Sequence, residues 1–487
     1  MTEKPISLPV TKDMVKQITK IPISDIILDE EIYPRERIDQ KRVGIFAENI
    51  RDDFKFEPIE VELHPDKAEK YRILDGVHRW SAYKATGITE PEVIIKRLDG
   101  KAPLLYAAKK AIGPRQLTEE ETRNTARRAF QNNPRLTSSE IGKDIGRSRQ
   151  AVDPYIANLR AATQVELDLK IFRMNRLGIP QERIAKRLLS PQQTISGHLP
   201  KMPVLANPVN TDLSRGFTVA QVAEKHGWAE PMVWSIALEE GKDDLKRFKE
   251  LGWGLRTWDL WNWGDCDKRF GDEWPGRIPA QLIGHILYYF SRQNDLVFDP
   301  MAGGGVTPDT CLALGRRCWS LDMVDRPDTR PEIEPCFWDF KGKDWGNSTM
   351  VTSKDKPDLI ILDPPYFDKK AQEYADKSIS ELSRQEYLEF FENFFVFIKK
   401  LSKKTTRLAF INADWRDFQN RSATEEDPKN SILLVDYCKI LENAGWALTH
   451  IIQAPMSSER FDAVVVSAMQ KKRILGVTSR YVIVLKQ

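Results

Sequence analysis

At 487 residues the chain is too long for a single core, and length alone suggests about three domains. Hydrophobic residues at 41% and charged residues at 30% are those of an ordinary globular protein. Five cysteines form no CxxC pair, which excludes a disulfide frame and a zinc site, and no metal is expected. No apolar signal core or run of about 20 apolar residues is present, so no membrane partner is expected and the default location is cytoplasmic. The net charge of +3 is unevenly spread: residues 101–202 carry 19 Lys/Arg against 9 Asp/Glu, a net of +10. A basic middle between near-neutral or acidic ends points to a polyanion partner, or to a solvated helical surface.

The first domain is expected over residues 16–100, after a disordered leader at 1–15. Strands are expected at 21–26, 58–63 and 71–76, with an amphipathic helix near 41–52 and another starting near His78. Gly76 permits a tight strand-to-helix turn with free N–H groups beside Arg79, an arrangement suited to phosphate. The bland alternative is that this glycine and arginine serve only the turn and a surface ion pair. Asp75-Gly-Val-His-Arg-Trp-Ser-Ala (75–82) and Tyr33-Pro34-Arg35 with Asp39 resemble two boxes of the ParB/sulfiredoxin superfamily. The resemblance covers about residues 20–97 and implies a small α+β domain. It also implies CTP as a ligand, with Arg35, Gly76, His78 and Arg79 on the nucleotide-binding boxes. The sequence departs from the family at Val77-His78, and shows no clear counterpart of the family's Glu-Asn-Ile-Gln-Arg segment near 104–114, so CTP hydrolysis is not implied.

Residues 101–240 read as helical, with one pattern repeated at 136–152, 179–195 and 217–233. Aligned positions Ile141, Ile184 and Val222 lie 43 and 38 residues apart. Each repeat suits two short helices around a turn, as in helix-turn-helix DNA readers, and the repetition with the +10 charge favours DNA binding over mere helix packing. Arg147, Ser148, Arg149 and Gln150 in the first repeat, and Gln192 and Gln193 in the second, would sit at the start of recognition helices. The third repeat has Ala229-Glu230-Pro231 there and is expected to be structural. Residues 241–275 form a bridge with five tryptophans, favoured for packing over base stacking.

In the third domain, 276–487, residues 295–307 suit a strand, a Gly-rich loop and a helix start. A following strand, 318–322, ends in Asp322, 19 residues after Gly303, where an acid can accept ribose hydroxyls. Leu359-Ile-Ile-Leu is a fully apolar strand that runs into Asp363-Pro364-Pro365-Tyr366. Two prolines take the chain out of the sheet on an extended path, at the edge where open α/β sheets bind ligands. Further strands are expected at 406–412, 446–452 and 481–485, a helix at 380–401 whose aromatic stripe is core, and irregular stretches at 367–377, 417–430 and 453–476.

Together the Phe298-Asp-Pro-Met-Ala-Gly-Gly-Gly loop, the 277–283 helix before it and the Asp-Pro-Pro-Tyr segment resemble S-adenosylmethionine-dependent DNA amino-methyltransferases over about residues 258–487. The resemblance implies a Rossmann-like class I methyltransferase sheet. It implies S-adenosylmethionine held by Asp299, Ala302, Gly303, Gly305 and Asp322. It further implies Asp363, Pro364, Pro365 and Tyr366 as the catalytic segment, with Tyr366 and Phe367 stacking on a flipped base. N6 of adenine is favoured over N4 of cytosine because the family's adenine enzymes more often carry Asp-Pro-Pro-Tyr. The fold class is therefore multidomain α/β, with an all-α middle, and the expected partner is double-stranded DNA. A CTP-gated partition-like protein with a passive third domain, and an RNA amino-methylase, are the other readings. A homodimer stays open, and with no nuclease motif in the sequence no cognate nuclease is named.

Overall fold

A computed structural model of the protein describes residues 18–98, 100–111, 117–238, 243–336, 355–366, 378–414, 433–456 and 463–487. The leader at 1–15 and the stretches 367–377 and 417–430 lie outside the described residues. The chain divides into two compact units, Met1–Glu166 and Leu167–Gln487.

The first unit carries a five-stranded mixed sheet of β1 (Ile18–Lys20), β2 (Ile26–Ile27), β3 (Ile59–Leu63), β4 (Tyr71–Asp75) and β5 (Glu92–Ile95), in the order β1-β5-β3-β4-β2. The expected strand at 21–26 does not form. Pro22 has no N–H for a ladder, and a 3-10 turn at Ile23–Asp25 separates β1 from β2. β5 is an additional strand that the reading of the sequence missed. Helices Gln40–Arg51 and Val77–Ala85 join through Val43, Ala47 and Ala82. Helices Pro103–Lys110, Glu119–Asn132 and Ser138–Ile145 share a second core with Leu74, Phe130, Ile141 and Val152. Helix Arg149–Arg176 begins in this unit, and from Leu167 it belongs to the second.

The second unit is built on seven strands: β6 (Leu296–Asp299), β7 (Arg317–Asp322), β8 (Ile333–Pro335), β9 (Leu359–Leu362), β10 (Arg407–Ala413), β11 (Ala447–Gln453) and β12 (Arg480–Lys486). Their order is β11-β12-β10-β9-β6-β7-β8, and β12 runs antiparallel to both neighbours while the other pairs are parallel. β6 and β9 are buried along their whole length, as apolar strands covered on both faces must be. From β6 the chain builds outward through β7 to β8, then returns to place β9 on the other side of β6. That reversal opens a crevice at the carboxyl ends of β6 and β9. Helix Ala463–Lys472 falls inside the stretch 453–476 expected to be irregular; its run of three valines argues against a helix on propensity, and tertiary context overrides it. Among the described residues no helix is long and apolar enough to cross a membrane.

All three repeats fold as two helices joined by a turn: Ser138–Ile145 with the start of Arg149–Arg176, Gln181–Arg187 with Gln192–His198, and Val219–His226 with Glu230–Ala237. The first belongs to the first unit, and the other two are built into the second. Arg183 pairs with Glu334 at 2.7 Å and lies 4.5 Å over the Trp319 ring. Arg187 donates to the carbonyls of Pro331 and Ile333. The helix Gln181–Arg187 is thereby fastened to the β8 edge of the sheet.

Below the crevice sits a buried ion cluster. Arg173 meets Asp309 and, at 2.7 Å, Glu332. Arg330 meets Asp309 at 2.8 Å and Asp272 at 2.6 Å. The two arginines hold the Asp309 carboxyl below its usual range against the opposing effect of burial. Removing one partner of such a group leaves a buried charge uncompensated. Asp309→Asn is therefore expected to destabilise the fold by about 3–5 kcal/mol, read from equilibrium urea denaturation. A shift below about 1 kcal/mol would show that Glu332 and Asp272 suffice for both guanidiniums.

Candidate active site

The strand reversal gathers three acids at one edge. Asp299 closes β6, is 2% exposed, and accepts the Met301 N–H at 3.0 Å. Burial raises its carboxyl to about 7, and the charges of Asp363 and Asp322 push the same way, against hydrogen bonds from Thr307 and Met301. Asp322 closes β7 and accepts the N–H groups of Gly303 at 2.8 Å and Val324 at 2.9 Å. Burial also raises Asp322, opposed by those backbone donors and by Arg326. Each carboxylate oxygen has two lone pairs, so Asp322 keeps acceptor capacity for hydroxyl groups.

The glycine loop is braced from behind. A Cβ on Gly304 would lie 2.8 Å from Trp274 Cβ and 2.9 Å from the Asp272 carbonyl, and one on Gly305, at φ +85°, 3.0 Å from Arg330 Nη1. Asp272 donates its N–H to the Gly304 carbonyl at 2.8 Å. Arg326 donates to the Gly303 carbonyl and stacks 4.4 Å over the Trp274 ring. Ala302 donates to the Leu321 carbonyl at 2.8 Å, which ties the loop to β7. The glycines thus admit the bridge and the ion cluster to the loop's back.

Asp363 follows β9 half-buried, Pro364 is buried, and Tyr366 is partly exposed. The Tyr366 hydroxyl donates to Asp363 Oδ1 at 3.0 Å. The Pro365 carbonyl accepts from the Tyr387 hydroxyl, also at 3.0 Å. Phe367 lies outside the described residues.

The tryptophan bridge packs, as favoured from the sequence. Trp253 donates to Asp267 at 3.0 Å and fills the space over Gly284, Trp261 stacks on Tyr289, and Trp274 backs the glycine loop. Trp258 remains 57% exposed.

In the first unit Gly76 adopts φ +100° at the start of helix Val77–Ala85. Arg79 is bonded to Asp75 at 2.6 Å and to the Glu57 carbonyl at 2.8 Å. His78 Nε2 accepts the Asp39 N–H at 3.2 Å; burial, then Arg42 and Arg35, lower its pKa to about 4, so it is neutral. Arg35 lines a cleft with Asn124, Arg127 and Arg128 of helix Glu119–Asn132. In the first repeat Ser148 caps the Ala151 N–H, Arg147 pairs with Glu119, and Gln150 is exposed. The Arg149 side chain is 75% exposed and 3.6 Å from Asp153. Gln192 and Gln193 are exposed in the second repeat. The sequence reading missed Asp272, Arg326, Arg330 and Tyr387, while Trp274 was among the tryptophans expected to pack. The one available signal was that Tyr387 carries the lone hydroxyl in an otherwise phenylalanine stripe.

Two protein families match separate parts of the chain. The ParB N-terminal domain family matches residues 9–109. A DNA methylase family of the N6/N4 type matches residues 200–326, which takes in the glycine loop and Asp322 and ends before Asp363. A probable chromosome-partitioning protein ParB of Xylella fastidiosa is 31% identical over 120 residues, covering 24% of this chain and 37% of that protein. The type II methyltransferase M2.DpnII of Streptococcus pneumoniae is 32% identical over 78 residues, covering 15% of this chain and 28% of that protein. The chain therefore spans well under half the length of either. A structure of C-terminally truncated ParB from Caulobacter crescentus, complexed with CTP-gamma-S, shares 23% identity over 29% of this chain and 77% of that chain, with a TM-score of 0.19. The fold is multidomain α/β, with an α+β first domain, a helical middle and a Rossmann-like methyltransferase sheet. The chain joins a ParB-type N-terminal domain to a domain of the N6/N4 DNA methylase family.

Proposed function

We propose that the protein is a DNA methyltransferase that transfers a methyl group from S-adenosylmethionine to the exocyclic amino group of a flipped base, N6 of adenine. The observation that carries this reading is the meeting of Asp299, Asp322 and the Asp363–Tyr366 segment at the strand reversal between β6 and β9. The residues fit the donor. Asp299 is a buried carboxyl raised first by desolvation, against hydrogen bonds from Thr307 and Met301, with the charges of Asp363 and Asp322 adding a smaller push, and a ligand ammonium opposes that rise. Asp322, beside the Gly303 amide, suits ribose hydroxyls. The donor supplies an electrophilic methyl on a sulfonium.

Within the site Asp363 and the Pro364 carbonyl accept the two amino hydrogens, which turns the nitrogen lone pair out of the ring plane. The Asp363 carboxylate is also the nearest acceptor for the proton that the amine releases. Tyr366 gives a face for stacking, reached only by a base outside the duplex. Catalysis is then positioning and electrostatics. Duplex DNA is the partner of the first repeat, where Ser148, Arg149 and Gln150 open a helix. A CTP site at Arg35, Gly76, His78 and Arg79 requires the Arg79–Asp75 pair to open, and calorimetric titration with CTP tests it.

Incubation with labelled donor and duplex DNA, followed by nucleoside analysis, is expected to yield N6-methyladenine. N4-methylcytosine instead would overturn the choice of base. Asp363→Ala is expected to lower the transfer rate by about 100-fold or more while S-adenosylhomocysteine still binds.

Because a protonated Asp299 cannot pair with the ligand ammonium, affinity for S-adenosylhomocysteine is expected to fall as pH drops below about 7, approaching about tenfold per pH unit. Asp299→Asn should weaken binding at high pH and flatten that dependence. Calorimetry between about pH 5.5 and 8 reads both. Arg149→Ala is expected to weaken DNA binding and to reduce the slope of log affinity against log salt by about 1.

A further inference from the structure

We infer that Tyr387 is a positioning residue for methyl transfer, acting through the Pro365 carbonyl; the inference rests on the functional reading above. Tyr387 lies in the first turns of helix Arg384–Leu401, whose start is fixed by a Ser383–Glu386 capping box. Its ring belongs to the buried stripe of Phe390, Phe391, Phe394 and Phe395, and meets Phe391 at 5.0 Å and 75°. A phenylalanine would fill the same space. Burying a hydroxyl there is unfavourable unless it is bonded, so its partners are informative.

Beside the buried Tyr437 hydroxyl, which also interacts with Tyr387, two of those partners form a chain with one direction. The Ala413 N–H donates to Asn412 Oδ1 at 2.7 Å, which fixes the amide so that Asn412 Nδ2 faces Tyr387. Asn412, 1% exposed on β10, donates to the Tyr387 oxygen at 3.3 Å. The Tyr387 hydroxyl proton is then directed to the Pro365 carbonyl at 3.0 Å. A buried asparagine in an apolar strand and a lone tyrosine in an apolar stripe thus serve one acceptor.

The position of that acceptor matters because of the two prolines. Both rings fix φ, and Pro365 restricts the ψ of Pro364. The ψ of Pro365 is left as the main soft dihedral between Pro364 and Tyr366, since peptide planes do not twist. Rotation about it swings the Pro365 carbonyl, so a bond to that carbonyl fixes the direction in which Tyr366 leaves. The Tyr366 ring and its hydroxyl on Asp363 Oδ1 follow. Tyr387 touches no reacting atom; it sets where the stacking ring stands relative to the carboxylate.

Tyr387→Phe tests this, because it keeps the ring and removes the donor. Single-turnover methyl transfer is expected to slow by about 10–100-fold, the scale of a misplacement near 1 Å. S-adenosylhomocysteine affinity should stay within about twofold. Hydrogen–deuterium exchange in a peptide starting at Asp363, where Pro364 and Pro365 carry no amide, should quicken at Tyr366. A wild-type transfer rate in the variant overturns the inference, as does loss of rate and cofactor affinity together. Unchanged exchange at Tyr366 overturns it whether or not the wild-type protein methylates DNA. Absence of methylated base from the wild-type protein with S-adenosylhomocysteine bound would instead count against the functional reading.

Discussion

The candidate site depends on one topological constraint, the reversal of strand order between β6 and β9. A parallel strand added on either side of β6 carries its carboxyl end to the same edge, so the acids that close β6, β7 and β9 face a common crevice. Asp299, Asp322 and Asp363 repel one another there, and burial sharpens the repulsion. Hydrogen bonds from Met301, Gly303 and Val324 offset part of it. What remains is an edge that suits a cation and hydroxyl donors, the groups that the proposed donor would bring.

A crevice of that kind needs a rigid back, because glycines alone leave a loop with many conformations. Here the back is made of residues far apart in sequence. Asp272 and Trp274 come from the bridge, Arg326 and Arg330 from the segment after β7, and Arg173 from the end of the long helix. The second and third repeats belong to the same scaffold: Arg183 and Arg187, which a charge count assigns to phosphate, are held by Glu334, Asp325 and main-chain carbonyls. The +10 of residues 101–202 therefore overstates the charge available to a polyanion. Arg149, three-quarters exposed in the first repeat, is a different case.

Elements whose physics is local were legible in the sequence. The apolar run 359–362 and the acid-proline pair after it mark a buried strand and the point where the chain leaves the sheet, and Gly76 and Gly146 announce their turns by needing positive φ. Strand 21–26 was misread because one proline outweighed its isoleucines, and helix Ala463–Lys472 because valine spacing carries no tertiary information. The glycine loop was legible as a loop suited to ligand approach, but not the close packing of Trp274 and Arg330 against its glycines. No periodicity reports a contact between residues 30 positions apart, as Trp274 and Gly304 are.

The same limit explains Tyr387. Read along the helix it is one more aromatic at core spacing, and by burial alone that is correct. Its hydroxyl gains meaning only from Asn412 on a neighbouring strand and Pro365 at the end of another. The proline pair removes backbone freedom covalently but cannot remove the ψ that follows it. To present a carboxylate, a carbonyl and a ring in fixed relation, as the proposed function requires, the segment needs one bond from outside. A donor buried beneath the apolar stripe supplies that bond where water cannot compete for the carbonyl.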